Sequence, residues 1–176
     1  MFNEKIKNED LNRLTPNDFK KSNKQSIIVV LDNIRSLNNI GSVFRTADAF
    51  LIEGIALCGV CGTPPNKEIE KTALGATATV EWWYYKTTVE AIIDLRQKGY
   101  YIVSIEQAEK KTWLQNFEST GKKLALVFGN EVYGVDQEII NNSDEVVEIP
   151  QLGTKHSLNI SVSVGIVLWE FIRKKI

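Results

Sequence analysis

Ile149-Pro150-Gln151-Leu152-Gly153-Thr154-Lys155-His156-Ser157-Leu158-Asn159-Ile160-Ser161-Val162 joins a short alternating segment to the apolar C-terminal run. Glu145 to Ile149 alternates and then meets a proline, which has no backbone N–H to donate, so the strand stops and the chain opens outward at Pro150. Gly153 permits a positive φ, and Ser157 or Asn159 can cap a following helix while still offering a hydroxyl or amide to a ligand. Capping alone is the ordinary role for such residues. The density of polar chemistry in one connection points instead to a site, and the rest of the chain supports that choice.

Two more segments have the same form, a strand running into a glycine-containing polar loop. Ile27 to Leu31 leads into Asp32-Asn33-Ile34-Arg35-Ser36-Leu37-Asn38-Asn39-Ile40-Gly41-Ser42-Val43-Phe44-Arg45-Thr46-Ala47. Leu124 to Phe128 leads into Gly129-Asn130-Glu131-Val132-Tyr133-Gly134-Val135-Asp136. Strands and helical patterns alternate along the whole chain, which predicts a mainly parallel α/β sheet covered on both faces. Ligands of such sheets bind outside the carboxyl ends of the strands, where all three loops then converge. No G-x-G-x-x-G follows a strand, which disfavours a Rossmann-type dinucleotide site.

Three ordered signatures, Asn39-x-Gly41-x-x-x-Arg45-Thr46-Ala47, Phe128-Gly129-Asn130-Glu131-x-x-Gly134 and Ile149-Pro150 followed by Ser157-Leu158-Asn159-x-Ser161-Val162, resemble those of the SpoU/TrmH family. Its members are RNA ribose 2′-O-methyltransferases of the SPOUT superfamily, and the resemblance runs from about Ile27 to the end of the chain. It implies a C-terminal trefoil knot, although periodicity shows none and the general rule for chain connections runs against one. The implied cofactor is S-adenosylmethionine, bent within the knot loops by Ile105, Phe128, Gly129, Ile149, Leu152 and Leu158 and recognised through backbone groups. The implied catalytic set is Asn39, Arg45, Glu131, Ser157 and Asn159. Family members pair knot against knot as homodimers, which would bring Arg45 of one chain toward the pocket of the other.

The residue types suit that chemistry. A ribose hydroxyl is barely ionised at neutral pH, so its proton must be removed or stabilised. The resemblance assigns activation to Arg45, but a guanidinium with a pKa above about 12 is a poor base in water. Arg45 therefore reads as a phosphate clamp that also stabilises the developing alkoxide, and the base stays unassigned. Asn39 is expected to orient substrate or Arg45, and Glu131 to hold substrate or order its loop. Each also has a plainer role: Asn39 as turn former, Arg45 as surface residue, Glu131 as a charge near a helix N-terminus. The chain departs from the family at Asn38-Asn39, which replaces an Asp-Pro-x-Asn lead. His156 lacks an acidic partner in the motif and reads as substrate-side or structural. Many rRNA-modifying members carry a fused RNA-binding domain that these 176 residues do not include, and the expected substrate is therefore tRNA rather than rRNA. The rival reading is a catalytically silent SPOUT-fold regulator that binds RNA or a nucleotide.

Length and composition agree with one soluble domain. The 176 residues are 43% hydrophobic and 24% charged, with a formal charge of −1, enough for a single core and without the overall basic field of many nucleic-acid binders. An RNA enzyme of this charge needs a local basic patch, for which Lys20, Lys21, Lys24, Lys122, Lys123 and Lys155 are the candidates. No signal-peptide pattern opens the chain, and the apolar run from Ile160 is too short to span a bilayer. The expected location is the cytoplasm, with no membrane partner and no metal. Cys58-x-x-Cys61 has no second cysteine pair and only His156 as a possible histidine ligand, so it reads as two free thiols at a strand end.

Residues 1–24 read as a small helical arm with Leu11, Leu14 and Phe19, broken near Pro16, and residues 25–176 as one domain. Expected strands are Ser26–Leu31, Ile55–Val60, an aromatic one over Thr79–Tyr85, Tyr100–Ile105, Lys123–Phe128 and Glu145–Ile149. Expected helices are Gly41–Phe50, Asn66–Leu74, Val89–Gln97 and Val135–Asn142. Glu106–Phe117 reads as loop or short helix, and the aromatic run as core or interface rather than a base-stacking surface. The C-terminal segment is ambiguous: Ile160, Val162, Val164 and Ile166 fall at period two, while length and resemblance argue for a helix buried nearly all round. Its surplus apolar surface predicts a homodimer through this segment and the first-motif helix.

Overall fold

The computed structural model describes residues 3–119 and 121–173. After a 3-10 turn at Asn8–Asp10 the order is α1 (Pro16–Lys21), β1 (Gln25–Asp32), α2 (Leu37–Ala49), β2 (Ile52–Cys58), α3 (Lys67–Ala73), β3 (Glu81–Tyr85), α4 (Thr88–Gln97), β4 (Tyr100–Ile105), β5 (Thr112–Trp113), β6 (Lys123–Phe128), α5 (Gln137–Asn141), β7 (Glu145–Glu148) and α6 (Ile160–Ile172). The strands form one sheet in the order β3-β2-β1-β6-β4-β7-β5, and every pairing is parallel.

Central β1 and β6 are apolar without a break from Ile27 to Leu31 and from Leu124 to Phe128 because both faces of the sheet are covered. Ile27, Val29 and Leu31 share a core with α2, α3 and α6, whereas Ile28 and Val30 face the other way, toward α4 and α5. From β1 the chain winds outward through β2 and β3, then crosses to β4 on the far side of β6. That reversal opens a crevice at the carboxyl ends of β1, β6 and β4, the usual ligand position in such sheets.

Several elements differ from the sequence reading. The helix expected from Gly41 begins at Leu37, because the Ser36 side chain accepts the Asn39 N–H at 3.2 Å and caps it. Asn39 is thus a first-turn residue of α2 rather than a turn former in a loop. Pro16 starts α1 instead of breaking a helix, with Thr15 as its cap; a proline at the first helical position loses no hydrogen bond. In that arm Phe19 is buried while Leu11 and Leu14 stay exposed. Thr112–Trp113, read as loop or helix, adds a two-residue strand at the sheet edge. Gly153 does not use the positive φ that a glycine permits. In the aromatic strand β3, Trp82 packs against the core while Trp83 and Tyr84 remain exposed at the sheet edge.

The C-terminal ambiguity resolves as helix α6, capped by Asn159, whose side chain accepts the Ser161 N–H at 2.9 Å. The period-two residues split between its sides: Ile160 and Val164 are buried, whereas Val162 and Ile166 are exposed together with Trp169. The helix is therefore not buried all round. It carries an outward apolar stripe at spacings of four and three.

Candidate active site

The geometry of the crevice follows from how three loops tie to one another. Asp32, at the end of β1 and buried, accepts hydrogen bonds from Thr88 Oγ1 (2.5 Å), Asn33 Nδ2 (2.9 Å) and the Asp136 N–H (3.1 Å). Asn33 O accepts from Asn130 Nδ2 at 2.7 Å. The first loop is thus fastened to the second before either meets a ligand. The second loop closes on itself, with reciprocal backbone bonds of 2.9 Å between Asn130 and Gly134. Glu106, just past β4, holds its far side by accepting the Val135 N–H at 2.9 Å. Gly129 is needed for close approach: an added Cβ would fall 2.0 Å from Gly134 C and Val135 N.

From this loop Glu131 reaches the start of α2. Its carboxylate accepts the backbone N–H groups of Arg35 (3.3 Å) and Ser36 (3.2 Å) and the Asn39 Nδ2 (3.3 Å). Asn39 Oδ1 in turn accepts from Asn159 Nδ2 at 3.2 Å. One hydrogen-bonded chain, Asn159 to Asn39 to Glu131, joins residues 120 and 92 positions apart in sequence and so unites all three motifs. Partial burial pushes the Glu131 carboxyl up, but the backbone and amide donors outweigh it and hold the group below its ordinary value. Negative charge at an α-helix N-terminus is itself favourable.

The sign of the pH dependence follows. A carboxylate with a depressed folded pKa contributes stability that is complete above its unfolded value, about 4.3, and is lost as pH falls through the folded value. The melting-temperature difference between wild type and Glu131→Gln is expected to be widest near neutral pH and to shrink as pH falls from about 6 to about 3. A difference constant across that range would remove this role.

Beside the chain lies a cleft of about 520 Å³, within the roughly 300–1,000 Å³ of small-molecule sites. Ile105, Phe128, Gly129, Ile149 and Leu158 line it, as do Glu131, Ser157 and Asn159. Two expected residues stand apart. Leu152 is fully exposed and is not part of the lining. Arg45 is exposed on α2, six residues past Asn39, which puts it about 9 Å further along the axis and two-thirds of a turn round; it does not line the cleft either.

The structure also brings in residues that sequence reading did not single out. Glu106, Gln107 and Glu148 line the cleft, and Gln107 Nε2 donates to the His156 carbonyl, tying the loop after β4 to the third motif. Their only sequence signal is position: Glu106 and Gln107 follow buried β4, and Glu148 is the last residue of β7. Of the basic candidates only Lys155, exposed in the third-motif loop beside His156, belongs to a segment that lines the cleft. Lys24 covers Phe19 and Lys122 and Lys123 cover Tyr101 and Tyr100, all at the amino ends of strands, opposite the cleft. Cys58 and Cys61 are free and buried. Burial pushes both thiols up, Cys61 to about 11, and Cys61 Sγ bridges the Ile34 N–H and the Leu31 carbonyl. Among the described residues no cluster suits a metal ion, and no helix is long and apolar enough to cross a membrane.

Comparison with known proteins places this arrangement. The chain is 31% identical over 172 residues to a protein of Borreliella burgdorferi named an uncharacterized tRNA/rRNA methyltransferase, covering 98% of this chain and 74% of that one. It is 29% identical over 156 residues to a putative TrmH family tRNA/rRNA methyltransferase of Staphylococcus saprophyticus, covering 89% of this chain and 62% of that one. Its fold matches the AdoMet-bound rRNA methyltransferase from Sinorhizobium meliloti with a TM-score of 0.81 at 28% identity, over 93% of this chain and 62% of that one. The chain thus spans just over three-fifths of the latter two relatives. The model of the SpoU rRNA Methylase family matches residues 26–169, from the start of β1 into α6, and the chain that joins these three motifs belongs to that family.

Proposed function

We propose that the protein is an S-adenosylmethionine-dependent RNA ribose 2′-O-methyltransferase, working as a cytoplasmic homodimer. The observation that carries the reading is the bonded chain Asn159–Asn39–Glu131, which sets three polar loops around one cleft. The cleft suits the cofactor. Apolar Ile105, Phe128, Ile149 and Leu158 offer surface to an adenosine, and Glu106, Glu131 and Glu148 give the wall negative charge, with no lysine or arginine among its described lining residues. The Glu148 charge is partly offset by Lys111 Nζ, 3.2 Å from Oε2. Such a wall complements a sulfonium cation. When bound, S-adenosylmethionine supplies a methyl group on positively charged sulfur.

The residues of the chain supply the rest. Glu131 and Asn39 hold the substrate side of the cleft rigid, so that a ribose can be oriented without reorganisation. Ser157 and Asn159 complete its wall. Arg45 stabilises the alkoxide that develops at the 2′-oxygen and clamps an adjacent phosphate. Arg45 is exposed and does not line the cleft of its own chain, and in this reading it acts on the cleft of a partner. The exposed stripe Val162, Ile166 and Trp169 on α6, packed beside α2, is the surface through which we pair two chains. We also infer that the C-terminal segment forms a trefoil knot: β7 lies between β4 and β5, so the chain leaving β7 must pass the connection that joins them. Of the two RNA classes we put tRNA first, because no basic stripe gathers among the described residues, which suits a short exposed loop better than a long phosphate track.

Two measurements test the reading. S-adenosylhomocysteine is expected to raise the melting temperature, by mass action worth about 2.7 kcal/mol at a hundredfold excess over its dissociation constant; no shift at saturation would remove the cofactor. Mapping of ribose methylation in tRNA and rRNA from a deletion strain should reveal one missing 2′-O-methyl group. A complete set in both RNAs, with no methyl incorporation by the purified protein, would leave only a silent regulator.

A further inference from the structure

We propose that the cavity on the outer side of the Asn130–Gly134 loop is a subsite for an unpaired RNA nucleotide, its base stacked on Tyr133 and its phosphate held by Arg35. The inference rests on the reading of the chain as an RNA enzyme and adds a second contact to it. The cavity measures about 210 Å³, below the roughly 300–1,000 Å³ of a whole-ligand pocket, and so holds a group of single-base size. Asn130, Tyr133 and Gly134 line both this cavity and the cofactor cleft. The subsite is therefore one loop's thickness from the cleft, where a neighbour of the modified nucleotide would lie.

Tyr133 is 81% exposed, which earns no burial energy within the chain and leaves a large aromatic face available. Its backbone is nonetheless fixed. Asn130 Oδ1 accepts the N–H groups of Val132 (2.9 Å) and Tyr133 (3.3 Å), and the loop ends are closed by the two bonds between Asn130 and Gly134. A ring on a rigid loop loses little freedom on stacking. Opposite it, Val60 is 61% exposed, with its N–H committed to Asn33 Oδ1 at 3.2 Å, and gives the cavity an apolar floor.

Arg35 supplies the charge. Its backbone N–H is held by Glu131, while its exposed guanidinium has no hydrogen bond or ion pair among the described residues. The two carboxylates that share the cavity each hold a partner within the chain, Asp32 through both oxygens and Asp136 through Oδ1. Asp32 accepts from Asn33, Thr88 and the Asp136 N–H, and Asp136 caps α5 by accepting the Glu138 N–H at 2.9 Å. Arg35 is thus available to an outside anion, and a guanidinium that lines the same cavity as an aromatic side chain suits a phosphate with its base. Because the Asn33 amide is used internally, the subsite reads an unpaired base by its face rather than by its edge, which makes it tolerant of sequence.

Fluorescence anisotropy with a mixed-sequence single-stranded RNA heptanucleotide and with unfractionated tRNA tests the proposal. Tyr133→Ala should weaken binding of both by about tenfold, and Tyr133→Phe should keep it, since the ring and not the hydroxyl stacks. Arg35→Ala should reduce the slope of log affinity against log salt by about one, with Arg35→Lys restoring the slope and S-adenosylhomocysteine affinity of Arg35→Ala unchanged by calorimetry. Wild-type melting temperatures would show that all four variants fold. If wild type binds RNA and Tyr133→Ala binds equally well, or if Arg35→Ala keeps the wild-type slope, the subsite is overturned while the RNA reading stands. If wild type binds neither RNA, both fall together.

Discussion

Arg45→Ala is expected to lower methyl transfer by a factor on the order of 10²–10³, the usual cost of removing one preorganised charge-stabilising donor, while S-adenosylhomocysteine affinity stays at the wild-type value. The separation follows from position. Arg45 lies on the exposed side of α2, and none of its atoms lines the cofactor cleft. Equal loss of cofactor binding would show that the residue serves the cleft of its own chain. The same variant tests the shared site. Mixing it with a chain altered at Gly129 should restore activity, because each mixed dimer contains one site built from unaltered parts; after random exchange about a quarter of the wild-type sites return. Dimers that exchange without regaining activity would refute the shared site alone. A monomer by light scattering at micromolar concentration would remove the dimer, and with it the role proposed for the Val162, Ile166 and Trp169 stripe.

Gly129→Ala is expected to cost about 2–3 kcal/mol of stability, or roughly 4–12 °C in melting temperature for a chain of this size, and to weaken S-adenosylhomocysteine binding by more than about tenfold. One methyl group has this effect because its carbon would fall 2.0 Å from Gly134 C and Val135 N. Those are backbone atoms of a closed loop and cannot swing aside. Opening the loop also withdraws Glu131 from the start of α2 and Asn130 from Asn33. Gly153→Ala is the control: its added Cβ meets nothing within 4 Å, its φ is not positive, and the expected change is within about 0.5 kcal/mol. Matching melting curves for the two variants would refute the close-approach role of Gly129.

Much of the fold was legible because the signal was local. The runs Tyr100–Ile105 and Lys123–Phe128 are largely apolar and bounded by glycine and charged residues, and the structure reproduces both with the expected limits. Edges were harder where a cap decides them. Ser36 moves the start of α2 back by four residues from the expected Gly41, and a lone serine before a leucine carries little signal until its hydroxyl is seen bonded to Asn39. Thr112–Trp113 is a strand only because β7 offers it a partner. Two residues have no period of their own.

The sequence alone determined the alternating α/β pattern and the three polar loops, and its motifs named part of the cleft lining, Gly129, Glu131, Ser157 and Asn159 among them, since strand burial and loop chemistry are set by short stretches of neighbouring residues. Tertiary structure decided what depends on residues far apart. Whether Glu131 and Asn159 meet at Asn39, whether Glu106 braces the second loop, and whether Arg45 faces the cleft or solvent are questions of relative position, fixed when β1, β6 and β4 come side by side. The C-terminal segment shows the same division. Ile160, Val162, Val164 and Ile166 fall at the period of a strand, while length and the resemblance argue for a helix. Packing against α2 and the sheet chose the helix, burying Ile160 and Val164 and leaving Val162 and Ile166 outside, because hydrophobic burial acts on whichever face the surrounding elements cover.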